Sequence, residues 1–394
     1  MTDTPARPGL SLAGLITHVL VTQLVVIVAR VTTSYRAIEL GASELWIGII
    51  AASFSVLPLL GATLTGQWID RRGARGAMLA GGIGMSAGCI GLIVLGFSPW
   101  GLVLASAVLG LGHVTCMLSQ HAYMASAGED RQMDRRFGQY AVLIALGQVI
   151  APMVVGMIGG SREIPQTGTL FLTAAGLSAL SLCGILLIDF RSARPRSTER
   201  TNIPMWALLR SPGVRPAIMG GVAVICAIDL LVVYLPAIGA GAGISAAMVA
   251  SLLSLRAGTS LASRLFFQWF LAAFGRRFLL TGSLALTGIA LCLMNAGLPA
   301  WALIVSMVFL GLGAGFSIPL SMSWIASIVP PDARGLALSL RLTGNRFAQL
   351  VLPPAVGVFA AASSLGLAFM VLGGAVLIVA RQTDRALNEH NRVT

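Results

Sequence analysis

The sequence predicts an all-α polytopic membrane protein of about twelve transmembrane helices, arranged as two parallel six-helix repeats. Three observations carry that prediction: a composition too apolar for water, a charged loop set between two runs of bilayer length, and residues that recur at one constant offset.

Of 394 residues, 56% are hydrophobic and only 10% charged, with a mean hydropathy of +0.88, outside the range of ordinary soluble domains. The net charge of +12 comes from arginine, since the chain contains no lysine. In a soluble protein that balance would suggest nucleic acid; here it reports topology, and no nucleic-acid partner is expected. Cys89, Cys116, Cys183, Cys226 and Cys292 all fall inside apolar runs, so neither a disulfide framework nor a metal-ligand spacing is present. No metal, no cofactor and no enzymatic chemistry is expected: no phosphate-binding glycine loop followed by lysine and no Ser/His/Asp constellation stands in a plausible context. Residues 1–11 lack the features of a secretory signal, so the first helix is expected to be retained.

In chain order the apolar runs cover residues 12–40, 45–68, 77–96, 100–125, 138–159 and 169–188, then 217–238, 245–270, 278–295, 301–328, 335–360 and 363–380. A helix of about 20 residues crosses the roughly 30 Å of hydrocarbon. A loop over 128–137 carries Arg131, Arg135 and Arg136. From Asp189 to Arg215 the composition turns to Arg, Ser, Pro and Thr, which no packed core would contain. The expected organisation is therefore an N-terminal six-helix bundle (1–190), a cytoplasmic linker (191–215) and a C-terminal six-helix bundle (216–394). Within the linker, 203–210 reads as a short surface-lying amphipathic helix.

The loop Gly66-Gln67-Trp68-Ile69-Asp70-Arg71-Arg72-Gly73-Ala74-Arg75 orients the chain. Its arginines resist translocation, which puts this side, and both termini, in the cytoplasm. The pattern Gly-x-x-x-Asp-Arg-x-Gly-x-Arg resembles the signature loop of the major facilitator superfamily, matched here by Gly66, Asp70, Arg71, Gly73 and Arg75. The resemblance implies a conformational latch in which Asp70 acts near a helix end and the arginines pair with acids. It also implies alternating access between two halves in a bacterial-type inner membrane.

The halves repeat at a constant separation of 201 residues: Gln67-Trp68 with Gln268-Trp269, Trp100 with Trp301, Gly110-Leu111-Gly112 with Gly311-Leu312-Gly313, Pro152 with Pro353, and Gly156 with Gly357. An even number of helices per half keeps both copies in one orientation. The second copy of the loop is eroded, with Leu271 aligned to Asp70. In the fifth run, Gly147, Pro152 and Gly156 partly resemble the helix-5 signature of the superfamily's proton-coupled exporters, with Ala151 where that pattern has Gly. Close helix packing alone would also account for these small residues.

Charge inside the membrane is the sharper clue. The third, sixth, ninth and twelfth runs hold no Asp, Glu or Arg, whereas Arg30, Asp229, Arg256, Arg264, Arg341 and Arg346 lie in others. In the superfamily the former helices are peripheral and the rest line the cavity. Ionised groups face water or a partner rather than lipid. At about 1.5 Å per residue, Arg256 and Arg346 sit roughly 16 Å deep, near the midplane. Such an excess of guanidinium over carboxylate calls for water, chloride or an anionic substrate, and the guanidinium fork suits carboxylates.

The expected substrate site is Arg30, Arg256, Arg341 and Arg346, with Gln120 and Trp324 as lining residues; Ser321 and Trp324 stand at the repeat positions of Gln120 and Tyr123. Arg264 reads as a structural, snorkelling residue. Asp229 leads the proton-coupling candidates, with His113 and His121 in reserve. The expected function is secondary active, proton-coupled transport of a small organic anion by a monomer in the lipid bilayer. A proton-driven exporter of drug-like compounds and a non-transporting scaffold or receptor are the alternatives.

Overall fold

The structure is a computed structural model that describes residues 8–126, 133–188, 213–294, 299–330 and 333–393. The loop arginine Arg131, the linker over 191–212 and the amphipathic helix expected over 203–210 lie outside the described residues.

Twelve helices and no strands form among the described residues: α1 (Pro8–Glu39), α2 (Glu44–Arg72), α3 (Ala74–Leu95), α4 (Pro99–Ser126), α5 (Met133–Gly159), α6 (Thr167–Leu186), α7 (Val214–Gly241), α8 (Ala246–Leu265), α9 (Phe267–Cys292), α10 (Ala300–Ile328), α11 (Arg334–Ala362) and α12 (Leu365–Val393). Nine of them are long and apolar enough to cross a membrane. The exceptions are α8, α9 and α11. In α8 and α11 the arginines named above break the apolar run, as helices facing a polar interior require.

The packing obeys the repeat. In the first half α1 packs on α5 and α6, α2 on α4, and α3 on α4 and α6. The second half repeats this with α7 on α11 and α12, α8 on α10, and α9 on α10 and α12. Two contacts join the halves and exchange under the same symmetry, α2 with α11 and α5 with α8, while α1 meets α7 at the centre. The duplicated glycines do matching work: Gly110 admits the backbone of Phe54 on α2 and Gly311 that of Arg256 on α8. Gly112 likewise seats α4 on Gly84 and Met85 of α3, and Gly313 seats α10 on Ser283 and Thr287 of α9.

Three boundaries differ from the sequence expectation. The ten-residue hairpin is almost all helix, because α2 continues to Arg72 and α3 starts at Ala74, leaving Gly73 alone (φ 78°, ψ 169°) to reverse the chain. A positive φ of this kind is open to glycine and strained for other residues. In the second half, α8 stops at Leu265, helix resumes at Phe267, and the matching reversal falls at Gly275 (φ 75°, ψ 162°). The reversal glycines are thus 202 residues apart (275 − 73), so one residue has been inserted after the Gln-Trp pair, and Ala272 rather than Leu271 stands three before the turn. Lastly, α12 runs on past Ala380 because Ala380, Thr383 and Leu387 recur at helical spacing and are all buried. Arg277 of α9 also grips Asp384 through two hydrogen bonds, 2.7 and 2.9 Å long.

With the Gly73 turn defining a loop side, both inter-half contacts close on the opposite, far side. There Gly48 of α2 lies against Pro353 and Tyr234, and Gly357 of α11 against Glu44 and Leu45. Gly156 and Gly159 of α5 receive Ala250 and Ala246 of α8, at 2.9 and 2.7 Å from where a Cβ would stand. The backbone N–H groups of Ala246 and Ala247 donate to Arg162 and Gly160 at 2.7 and 3.1 Å. The duplicated Pro-x-x-x-Gly elements of α5 and α11 therefore form both far-side contacts.

Candidate functional site

Asp229 sits in the middle of α7, at the junction of the halves. One carboxylate oxygen accepts from the Arg30 guanidinium of α1 at 2.7 Å, and the other accepts from the Gln349 side chain of α11. Arg346, one turn earlier on α11, donates to the Gln349 amide oxygen at 3.2 Å. A continuous polar chain Arg30, Asp229, Gln349, Arg346 thus runs from one half to the other. The side chains of Arg30 and Asp229 retain 17% and 12% of their exposure, so the pair is partly shielded rather than sealed.

Local sequence explains why these groups are free to meet. Pro353 has no N–H for the carbonyl of Gln349, so the helical ladder is open one turn beyond the pair. Tyr234 takes up the Pro353 carbonyl at 2.7 Å, tying α7 to α11 beside the site. Arg30 also lies 5.1 Å over the ring of Phe54, a cation–π contact with α2, and Phe54 stands 5.7 Å from the His113 ring of α4. His113 is buried, neither ring nitrogen has a partner among the described residues, and it lies within electrostatic reach of Arg30 and Arg346.

Arg256 of α8 is 3% exposed, its Nε lacks a partner, and it is within electrostatic reach of Asp229. Arg30 thus bonds this carboxylate directly, Arg346 reaches it through Gln349, and Arg256 lies within its electrostatic reach. On the far side of Arg30 a narrow cavity opens, lined by Thr33, Ser34, Phe54, Ser106 and Val233 among others.

The remaining candidates fall elsewhere. Arg341 turns away from this cluster toward α10, donating to Ser321 at 3.1 Å, and Trp324 is buried one turn from Ser321. Gln120 accepts from Tyr140 at 3.1 Å, and His121 packs edge-on against Tyr140 with ring centroids 5.0 Å apart. Arg264 is also buried at Nε without a partner. Gly147 seats α5 on Gln23 of α1, Pro152 lies within α5, and Gly156 seats α5 on α8. Asp70, Arg71 and Arg75 are exposed and form no ion pair with a described residue, and Gly66 touches nothing within 4 Å of a Cβ position. Among the described residues, no cluster of three or more His, Cys, Asp or Glu could hold a metal ion.

Gln349 and Phe54 were not legible as site residues. A signal for Gln349 does exist: it is the repeat partner of Gln148 (349 − 148 = 201) and stands three residues from Arg346.

Comparison with known proteins agrees with this architecture. The model of the Major Facilitator Superfamily matches residues 13–245 and 217–381. An MFS-type transporter of Bacillus subtilis (strain 168), YwoD, is 24% identical over 153 residues, and the class C tetracycline resistance protein of Escherichia coli is 28% identical over 163 residues. Those matches span 37% and 41% of this chain but only 34% and 38% of the relatives' own lengths. The nucleoside transporter NupG superposes with a TM-score of 0.77 at 14% identity, covering 96% of this chain and 99% of that one. A peptide transporter, POT, in complex with sulfate superposes with a TM-score of 0.78 at 17% identity, covering 100% and 97%. With its twelve helices, its repeated packing and a family match over most of its length, the chain belongs to the Major Facilitator Superfamily.

Proposed function

We propose that the protein is a proton-coupled secondary transporter of a small organic anion, working by alternating access. The observation that carries this reading is Asp229, a single carboxylate held by Arg30 from one half and, through Gln349, by Arg346 from the other. A substrate carboxylate entering the site competes with Asp229 for the same donors. When it succeeds, Asp229 loses its counter-charges and takes up a proton; when the substrate leaves, the ion pair re-forms and the proton is released. The net charge of the site is therefore the same in both states. The surplus of guanidinium over carboxylate favours an anion as cargo.

The positive-inside rule places the Gly73 side in the cytoplasm. The form described, closed on its far side by α2 with α11 and by α5 with α8, is then closed to the exterior. Proteoliposomes with an imposed pH gradient test the reading: a labelled carboxylate should accumulate or be expelled, and Arg346→Gln should abolish that flux. Unchanged flux in this variant contradicts the proposal.

A second reading, export of drug-like compounds, is favoured by the likeness to the tetracycline resistance protein and by the position of Gly156 at the α5–α8 contact. Expression in a dye-sensitive deletion strain separates the two. Restored resistance to cationic dyes, without carboxylate flux, selects the exporter.

A further inference from the structure

Arg341 is a buried cation that lies outside the Asp229 cluster. Arg341 is 2% exposed, its Nε is buried without a partner, and it pairs with no acid among the described residues. Its guanidinium lies directly on Gly221 of α7, where a Cβ would collide with it, and it donates to Ser321 of α10 at 3.1 Å. Gly221, Ser321 and Arg341 each stand seven residues from the loop-side end of their helix (221 − 214, 328 − 321, 341 − 334), which places all three about 10 Å deep. Asp229 is eight residues farther along α7, about 12 Å beyond them. Trp324, on the same face of α10 as Ser321 and one turn nearer the loop side, is 1% exposed with its indole N–H unpartnered.

The duplication shows that packing does not require the charge at this level. At the 201-residue offset Arg341 corresponds to Tyr140 (341 − 140), Ser321 to Gln120 (321 − 120) and Trp324 to Tyr123 (324 − 123). In the first half the Tyr140 hydroxyl donates to Gln120 at 3.1 Å, the same inter-helix bond that Arg341 makes to Ser321. A neutral phenol and amide thus hold α4 to α5 where a guanidinium and hydroxyl hold α10 to α11. The positive charge is an addition of the second half, and a buried, uncompensated guanidinium is unfavourable unless an anion joins it.

We propose that Arg341, Ser321 and Trp324 form a second site, for a small monovalent anion, on the loop side of the Asp229 cluster. Ser321 donates its own proton to the Ile318 carbonyl and accepts from the guanidinium, which holds Arg341 in place; Arg341 Nε and Trp324 Nε1 are the donors left without a partner among the described residues. Asn345, one turn along α11, has a buried unpartnered amide oxygen, and a flip of that amide presents its NH2 instead. The ligand chemistry is that of a carboxylate or a halide. As a carboxylate it would be cargo passing between the Asp229 cluster and the loop side, which rests on the proposed function; as a halide it is a resident counter-ion, which does not.

The test is thermal-shift titration of the full chain in detergent with sodium bromide or sodium acetate, at ionic strength held constant with sodium sulfate. The wild type should show a saturable rise in Tm. Arg341→Gln and Trp324→Phe should weaken the affinity by about tenfold or more, while Arg264→Gln, which removes a guanidinium outside both sites, keeps it within about twofold. Acetate binding without bromide assigns the site to cargo, and binding of both assigns it to a counter-ion. No saturable shift in the wild type, unchanged affinity in Arg341→Gln, or equal loss in Arg341→Gln and Arg264→Gln overturns the proposal. Should Arg341→Gln fail to fold, Trp324→Phe decides, and unchanged affinity there overturns it. Failure of the transport reading shows separately, as normal flux by Arg346→Gln.

Discussion

Asp229 carries an ion pair that links the halves, and its two oxygens have different partners. Asp229→Asn keeps a side chain for Gln349 to bond but removes the charge that balances Arg30. Breaking a buried ion pair from one side costs roughly 3–5 kcal/mol, and the residual exposure of this pair puts it at the lower end. Denaturation in detergent should show Asp229→Asn destabilised, with much of the loss recovered by Arg30→Met combined with Asp229→Leu. The same Asp229→Asn variant should retain exchange of carboxylate across the membrane and lose accumulation driven by a pH gradient. At this scale the sequence was partly legible. Arg30, Asp229, Arg256 and Arg346 stood out as charges in apolar runs, whereas Gln349 is neutral and raised no such flag. The divergence of Arg341 from Arg346 follows from helix geometry, since five residues at 100° each put them about 140° apart; which neighbour each would reach depends on packing between distant helices.

The elements that shut the far side are the paired Pro-x-x-x-Gly segments of α5 and α11. A Cβ at Gly156 would stand 2.9 Å from that of Ala250. Gly156→Val and Gly357→Val should therefore push the halves apart on the far side, at an overpacking cost of about 1–3 kcal/mol each, seen as faster labelling of a reporter cysteine placed there. Conversely, Gly156→Cys with Ala250→Cys needs the helices to part by only about 1 Å to reach the usual Cβ separation of a disulfide. Oxidation of that pair, with the native Cys183 and Cys292 replaced by Ser, should stop transport, and reduction should restore it. The glycines and prolines were visible in the sequence as repeated positions, and their spacing admitted either a signature or plain packing. The structure adds which helix each admits. The reversals at Gly73 and Gly275 were blurred in the sequence because charged residues at a helix end read as loop, although here they continue the helix.

For the whole molecule, the recurring offset and the hydropathy pattern were enough to read a duplicated twelve-helix membrane fold, because both follow from chain-local chemistry. The conformation was not readable, since alternative states of such a protein differ by only a few kcal/mol and the balance is spread over many contacts. In the form closed on the far side, Asp70, Arg71 and Arg75 are exposed and hold no described acid or base. We propose that the latch implied by the signature loop forms in the opposite state. Asp70→Asn should leave the stability of the present form unchanged within about 0.5 kcal/mol. It should shift the population further toward this form, by about tenfold if the latch is worth about 1.4 kcal/mol. Accessibility of a loop-side reporter cysteine measures that shift.

Whether guanidinium groups from both halves hold an anionic cargo in competition with Asp229 is decided by uptake of labelled small carboxylates into proteoliposomes under an imposed pH gradient, comparing wild type with Arg346→Gln. The wild type should show saturable, gradient-dependent flux, and the variant should lose it. Equal flux in both, or flux of cationic compounds alone, would contradict that competition.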